Sequence, residues 1–269
     1  CVQPAPVAAP ADLPRRYSPT AYQALLDCPY RFFVERVLAV RALDEADDPL
    51  DKSDYGTALH RILQRFHDSA PPQDHDAALA RLADFTRAEF AELPAWTAAA
   101  WTSRWEKIQP AYIDAWLDWA AQGWRYVSGE TPFTVPAEVR GLGTVELAGV
   151  LDRVDARVLP DGDTARAVFD YKTGAVQGLK QKLRDPGEAV QLPFYAWLAD
   201  AASAYLPLGE VPVAALELDG ETDVAAIVDR LPALLEALAA GAPLAASGVD
   251  AVCRHCDARG VCRKGMWHA

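Results

Sequence analysis

Apolar positions along this chain change their spacing partway, which divides it into a helical first half and a strand-bearing second half. Tyr17-Ser18-Pro19 predicts a helix start, with Ser18 as N-cap and Pro19 at the first helical position. That helix runs through YQALLDC and continues after Pro29 as YRFFVERVL. An acidic loop, DEADDPLDKSD, follows. A second helix is expected from near Asp54 through GTALHRILQRFH, where Leu59, Ile62, Leu63 and Phe66 recur at helical spacing. Two more, rich in tryptophan, are expected over 76–92 and 99–122. Beyond Pro132 the period becomes two, and FTVPAEVRG, TVELAGVLDRVDARV and ARAVFDYKT read as three strands. A helix from Gly187 to Ala202, a strand over VPVAALELD and a helix over 223–240 complete the order. This succession predicts the α/β class, a mixed central sheet flanked by helices, with additional helices at the N-terminal end. No internal repeat is visible.

With 269 residues, 51% of them hydrophobic, the chain can bury one large core. No run approaches the length of uncharged apolar sequence that a membrane helix needs, so no membrane partner is expected. The first 16 residues carry Pro4, Pro6, Pro10 and Pro14 among alanines and lack the pattern of a signal peptide. They are expected to be an extended linker from a longer polypeptide, with the folded domain over 17–269. Five cysteines without a secretory signal point to a reducing compartment, the cytoplasm, and to metal rather than disulfides. The net charge of −12 weighs against non-specific nucleic-acid binding without excluding it. Local basic clusters do occur, at Lys180, Lys182 and Arg184 and at Arg254, Arg259, Arg263 and Lys264.

The candidate chemistry lies in the hairpin around Leu159-Pro160-Asp161-Gly162-Asp163. A three-residue loop with Gly162 in the left-handed position pairs Leu159 with Asp163. Counting back then sets Asp152 opposite Asp170, with Cβ atoms about 5 Å apart on one face. Two carboxylates so placed can bracket one divalent cation, Mg²⁺ or Mn²⁺, through metal–oxygen bonds of roughly 2.0–2.2 Å. Lys172, two residues on, shares that face. Such a cation lowers the pKa of bound water, and the lysine can position that water or stabilise a developing oxyanion. Each acid ends an apolar stretch, where an unpaired carboxylate is costly.

Cys253, Cys256 and Cys262 cluster near the C-terminus, with Cys28 far upstream. Three thiolates can wrap one side of a metal centre and a fourth can complete it. The spacing is not that of a zinc ribbon, although four-cysteine Zn²⁺ remains physically allowed.

Gly56-Thr57-Ala58-Leu59-His60, Gly149-Val150-Leu151-Asp152-Arg153-Val154-Asp155, Asp170-Tyr171-Lys172-Thr173-Gly174 and Gln191-Leu192-Pro193-Phe194-Tyr195 together resemble the PD-(D/E)XK nuclease superfamily. The likeness is to its RecB-like branch of double-strand-break repair helicase–nucleases and extends from about Tyr17 to the C-terminus. It implies a restriction-endonuclease-like core and hydrolysis of DNA. Asp152, Asp170 and Lys172 would be catalytic, and His60, Asp152 and Asp170 metal ligands. Gln191 and Tyr195, at i and i+4 on one helix face, would position DNA or the lysine. The proline usual before the first aspartate is replaced by Leu151. Cys28, Cys253, Cys256 and Cys262, with the Cys28-Pro29-Tyr30-Arg31-Phe32 context, are similar to the [4Fe–4S] staple of AddB-type subunits, which favours that cluster over zinc. The implied substrate is single-stranded DNA or an unwound duplex end. The implied protein partners are a helicase module in the same polypeptide and a partner helicase–nuclease subunit. A stand-alone exonuclease and a non-catalytic DNA-binding scaffold are the other readings. No GxxxxGK[ST] loop occurs in this sequence, so any ATP-driven motor lies elsewhere.

Overall fold

A computed structural model describes residues 2–40, 52–254 and 256–267. Cys1 and the acidic loop ahead of Lys52 lie outside the described residues. A two-residue strand, β1 (Arg16–Tyr17), leads into α1 (Pro19–Asp27) and α2 (Pro29–Phe32). Then come α3 (Lys52–Asp68), α4 (His75–Phe90), α5 (Ala95–Glu106) and α6 (Gln109–Ala121). The strands β2 (Arg125–Val139), β3 (Gly143–Val158) and β4 (Thr164–Lys172) follow, then α7 (Val176–Arg184) and α8 (Gln191–Ala199). The chain ends through β5 (Ala202–Pro207), β6 (Leu216–Glu217), α9 (Val224–Ala239), α10 (Asp250–Cys253) and α11 (Arg259–Cys262).

The sheet is mixed. β2 and β4 pair antiparallel with β3, whereas β1 with β3 and β4 with β5 are parallel pairs. One face packs on α1, α8 and α9, with Leu147, Leu151, Val154 and Val168 meeting Tyr22, Phe194 and Leu231. The other lies under α3 to α6, where Phe169, Tyr171 and Leu206 meet Leu59, Ile62, Phe66 and Trp105. The result is the expected α/β architecture of a mixed sheet flanked by helices.

Ser18 caps α1 by accepting the Ala21 N–H at 3.2 Å, and Pro19 follows it. The continuous helix expected past Pro29 is instead interrupted, because Cys28 is extended and Pro29 supplies no N–H. The helix expected over 99–122 is two helices, α5 and α6, broken just ahead of Pro110 for the same reason. β2 starts well before Pro132, at Arg125. Its prolines are tolerated because, among the described residues, β2 pairs only with β3 and its other edge needs no donors.

The helix expected over Gly187–Ala202 covers only 191–199, and its last residue, Ala202, opens β5, the strand beside β4. The strand expected over VPVAALELD shrinks to Leu216–Glu217, Pro212 being unable to donate to a ladder. The basic segment Val176–Arg184 forms a helix that the sequence reading did not anticipate. The proline-rich start does not hang free. Ala8 and Leu13 are buried in the first core, and the Pro4 and Pro6 carbonyls accept the N–H groups of Ala246 and Leu244.

Candidate active site

Residues 159–163 form the anticipated turn, with Gly162 at φ +92° and the Leu159 N–H bonded to Asp163 O at 2.8 Å. The ladder from there runs to Arg153↔Phe169, and the same register sets Asp152 across from Asp170. On the other side of β3, Gly129↔Arg153 and Thr131↔Leu151 set Glu130 across from Asp152. Three carboxylates thus occupy neighbouring positions on three adjacent strands.

β3 and β4 part where this row begins. The Tyr171 N–H donates to Asp152 Oδ2 at 2.8 Å, taking a side-chain acceptor where the ladder has ended. Asp170, 1% exposed, contacts the Lys172 ammonium through Oδ2, and its Oδ1 accepts from Gln191 Nε2 at 2.9 Å. Gln191 Nε2 also lies 3.4 Å from the Tyr195 hydroxyl. Tyr195 is itself held close to the row by Gly149. A Cβ at Gly149 would come within 2.9 Å of the Tyr195 ring, so only glycine allows the helix to approach this near.

His60 reaches the row from α3, whose Leu59, Ile62, Leu63 and Phe66 are fully buried and fix its rotation. Its Nδ1 lies 3.0 Å from Glu130 Oε1 and its Nε2 3.6 Å from Asp152 Oδ2. Among the described residues, His60, Glu130 and Asp152 bring one ligand atom each within 4.8 Å of the others. The expected ligand set differed, naming Asp170 where this group has Glu130. Glu130 was missed because the sequence reading began the strand after Pro132, which left the residue off the sheet. It sits at φ +48°, a conformation costing about 1–2 kcal/mol for a residue with a Cβ.

Burial and the neighbouring Asp170 charge push Asp152 up to about 7. Burial also raises Asp170, against the lowering effect of Lys172. His60 is pulled down by burial but lifted overall by its bond to Glu130 and by the surrounding carboxylates. Close acids that resist ionising together, beside an imidazole, form a donor set suited to a hard divalent cation. A cleft of about 460 Å³ lined by His60, Glu130, Tyr171 and Lys172 opens onto the row. The Lys172–Thr173 turn at its edge is pinned by the Leu208 N–H to Lys172 O at 2.7 Å and Arg104 to Thr173 O at 3.1 Å.

Beneath the row, Arg153 forms a buried two-pronged pair with Asp155 at 2.8 and 2.6 Å. Its remaining nitrogen meets the Tyr112 hydroxyl and His67 Nε2, both at 3.3 Å. Burial, with the Arg153 charge adding to it, keeps His67 well below the usual histidine range.

The four cysteines form a second group. Cys28, Cys253, Cys256 and Cys262 line one cavity of about 540 Å³, all as free thiols. Cys28 is buried between α1 and α2, and α10 and α11 each end on a cysteine. Burial foremost, then the nearby thiols, raises Cys262. Gly248 fits closely here, since a Cβ would lie 3.2 Å from Cys253 Sγ and 3.3 Å from Cys28 Cβ. The strand-like stretch before it is held on both sides, by Pro4 and Pro6 and by the Tyr30 N–H to Ala245 O at 3.2 Å.

A family model for the PD-(D/E)XK nuclease superfamily matches residues 16–263. An uncharacterized protein of Rickettsia bellii (strain RML369-C) is 21% identical over 174 residues, 62% of this chain and 20% of that protein. The chain therefore spans about a fifth of that relative's length. The crystal structure of SSO0001 covers 92% of this chain and 85% of its own at 17% identity, a loose likeness with a TM-score of 0.38. Among the described residues no helix is long and apolar enough to cross a membrane.

Proposed function

The chain belongs to the PD-(D/E)XK nuclease superfamily, and from that premise we propose that it hydrolyses DNA phosphodiesters at the Glu130–Asp152–Asp170 row with Mg²⁺ or Mn²⁺. The observation that carries the reading is the register that sets Asp152 against Asp170 with Lys172 on the same carboxylate. His60, Asp152 and Asp170 would hold the cation, with Glu130 bonded to His60 Nδ1 and orienting the imidazole. The cation, when bound, neutralises phosphodiester charge and lowers the pKa of bound water. Lys172 presents its ammonium beside Asp170, where it can hold a non-bridging phosphate oxygen or the attacking water. Gln191 fixes one Asp170 oxygen and leaves the other facing Lys172. Tyr195 closes the row from α8.

The test is Mg²⁺-dependent degradation of labelled single-stranded DNA by wild type and by Asp170→Ala. Wild type is expected to cut and the variant to lose activity by at least about 100-fold. Equal activity in both defeats the assignment to this site.

The finer reading is a nuclease domain of the RecB-like, AddB-type kind, fed by a helicase module in the same polypeptide and by a partner helicase–nuclease subunit. Its support is the order of the cysteines, one before and three after the carboxylate strands, all four opening on one cavity. The one-before, three-after order, which is not that of a zinc ribbon, and the shared cavity favour a [4Fe–4S] cluster, whose iron the four thiolates would ligate. Iron and sulfide content with broad visible absorbance after anaerobic purification is the expected result. Stoichiometric zinc without iron overturns this part and leaves the hydrolytic site untouched.

A further inference from the structure

α7 carries a positive charge that the site above does not use. Leu179 is buried against Leu192 and Tyr205, which anchors this helix over the sheet beside β4 and β5. Lys182 comes three positions later, on the face that Leu179 shares, so its side chain is directed back toward the carboxylates. Lys180 is one position from Leu179 and lies off that face.

Lys182 lines a second cleft, of about 570 Å³, together with Gln191 and Tyr205. Gln191 is the residue bonded to Asp170, and the Tyr205 ring lies 5.8 Å from the Lys172 ammonium. The α7 cleft is therefore lined by the direct neighbours of Asp170 and Lys172, and Lys172 itself lines the α3 cleft.

Charge completes the case. Among the described residues Lys182 has no ion pair within 4.0 Å, yet its charge is felt at Asp170 and it in turn feels Lys172. Lys182, lining the cleft beside Gln191, and Lys172, in contact with Asp170, thus both act on this carboxylate, and an anion between the two ammonium groups would relieve their repulsion. Asp27, whose charge also acts on Lys182, lines the same cleft with Asp185 and Glu188, and these acids would repel a second phosphate but not an uncharged base.

We propose that Lys182 binds the backbone phosphate adjacent to the scissile one, so that a single DNA strand crosses Asp170 from the α3 cleft into the α7 cleft and lodges a nucleobase beyond Lys182. The inference rests on the hydrolytic reading given above. A cleft of this size lies within the range that encloses small ligands, and one nucleoside fits it.

The experiment measures binding of a short fluorescent oligothymidine to the whole chain by anisotropy, in Ca²⁺ across a salt series, alongside its cleavage in Mg²⁺. Lys182→Gln is expected to weaken binding several-fold and to flatten the plot of log Kd against log salt by about 0.7, the release expected for one phosphate contact on a single strand. Lys182→Arg is expected to restore the slope, and Lys180→Gln to leave it at the wild-type value. A merely structural role for Lys182 would lower the melting temperature without changing the slope. Equal slopes for wild type and Lys182→Gln overturn the proposal, and wild-type cleavage of the same strand then leaves the hydrolytic reading standing. A wild type that neither binds nor cuts the strand overturns both.

Discussion

Glu130 Oε1 lies 3.0 Å from His60 Nδ1, which leaves His60 Nε2 as the ring atom that faces Asp152. A carboxylate on one imidazole nitrogen fixes the tautomer and aims the other nitrogen at a cation, and losing such a partner typically lowers metal affinity by 10–100-fold. Glu130→Ala is therefore expected to weaken Mn²⁺ binding by about 10–100-fold in calorimetry while the domain stays folded. An unchanged affinity would remove Glu130 from the metal centre.

Asp152 makes the metal-free protein pH-sensitive. Its carboxyl rises from the usual carboxylate range to about 7 through burial and the Asp170 charge. A group raised on folding contributes stability that is complete below its unfolded value, about 4, and is lost as pH climbs through about 7. Without metal, the melting temperature of wild type should thus fall between pH 5 and pH 8. Asp152→Asn keeps an oxygen for the Tyr171 N–H and carries no charge, so it should flatten that fall and raise the pH 8 midpoint on the order of 5 °C. Mg²⁺ should stabilise wild type increasingly as pH rises, and should leave the variant nearly unchanged.

Gly149 sets the distance between β3 and α8. An added methyl would stand 2.9 Å from the Tyr195 ring and 3.2 Å from Leu198 Cδ1. Gly149→Ala is expected to cost about 1–3 kcal/mol in urea unfolding, as overpacking does. It should also lower kcat, because Tyr195 and Gln191 ride on the displaced helix. A variant with lower stability and wild-type kcat would show that Tyr195 packs and does not position.

The buried Arg153–Asp155 pair predicts a different outcome. Asp155 is fully buried, and Arg153→Met would strand its charge, costing about 3–5 kcal/mol. Arg153→Met combined with Asp155→Leu removes both charges and is expected to recover most of that loss. The measurement is the denaturation midpoint of wild type and the two variants.

The cysteine cavity joins residues far apart in sequence, so the proposed cluster, held there, would act as a crosslink. Closing a loop of the order of 200 residues is worth about 4–5 kcal/mol in the chain-entropy account. Cys253→Ser is expected to lose bound iron and to lower the melting temperature of anaerobically purified protein, with a smaller effect on Mn²⁺ affinity at His60 and Asp152.

Local sequence by itself determined the parts that depend on local rules. The Ser18 cap, the apolar face of the helix carrying His60 and the Gly162 turn follow from neighbouring residues, and the turn fixes the register that brings Asp152 to Asp170. The cysteine order and the four motifs were legible for the same reason. Tertiary structure decided the rest. Pro132 read as a boundary, yet on an unpaired edge a proline costs no ladder bond, so the strand continues back through Glu130 and delivers a third carboxylate. β5 was hidden inside an apolar run that serves equally as helix or buried strand, and only its place beside β4 distinguishes them. Lys182 was legible only as one of a basic cluster with Lys180 and Arg184, and the burial of Leu179 against Leu192 and Tyr205 is what sets it apart from them. Pairings between distant segments leave no period in the sequence, because they are set by which surfaces close on one another and not by the chain's own repeat.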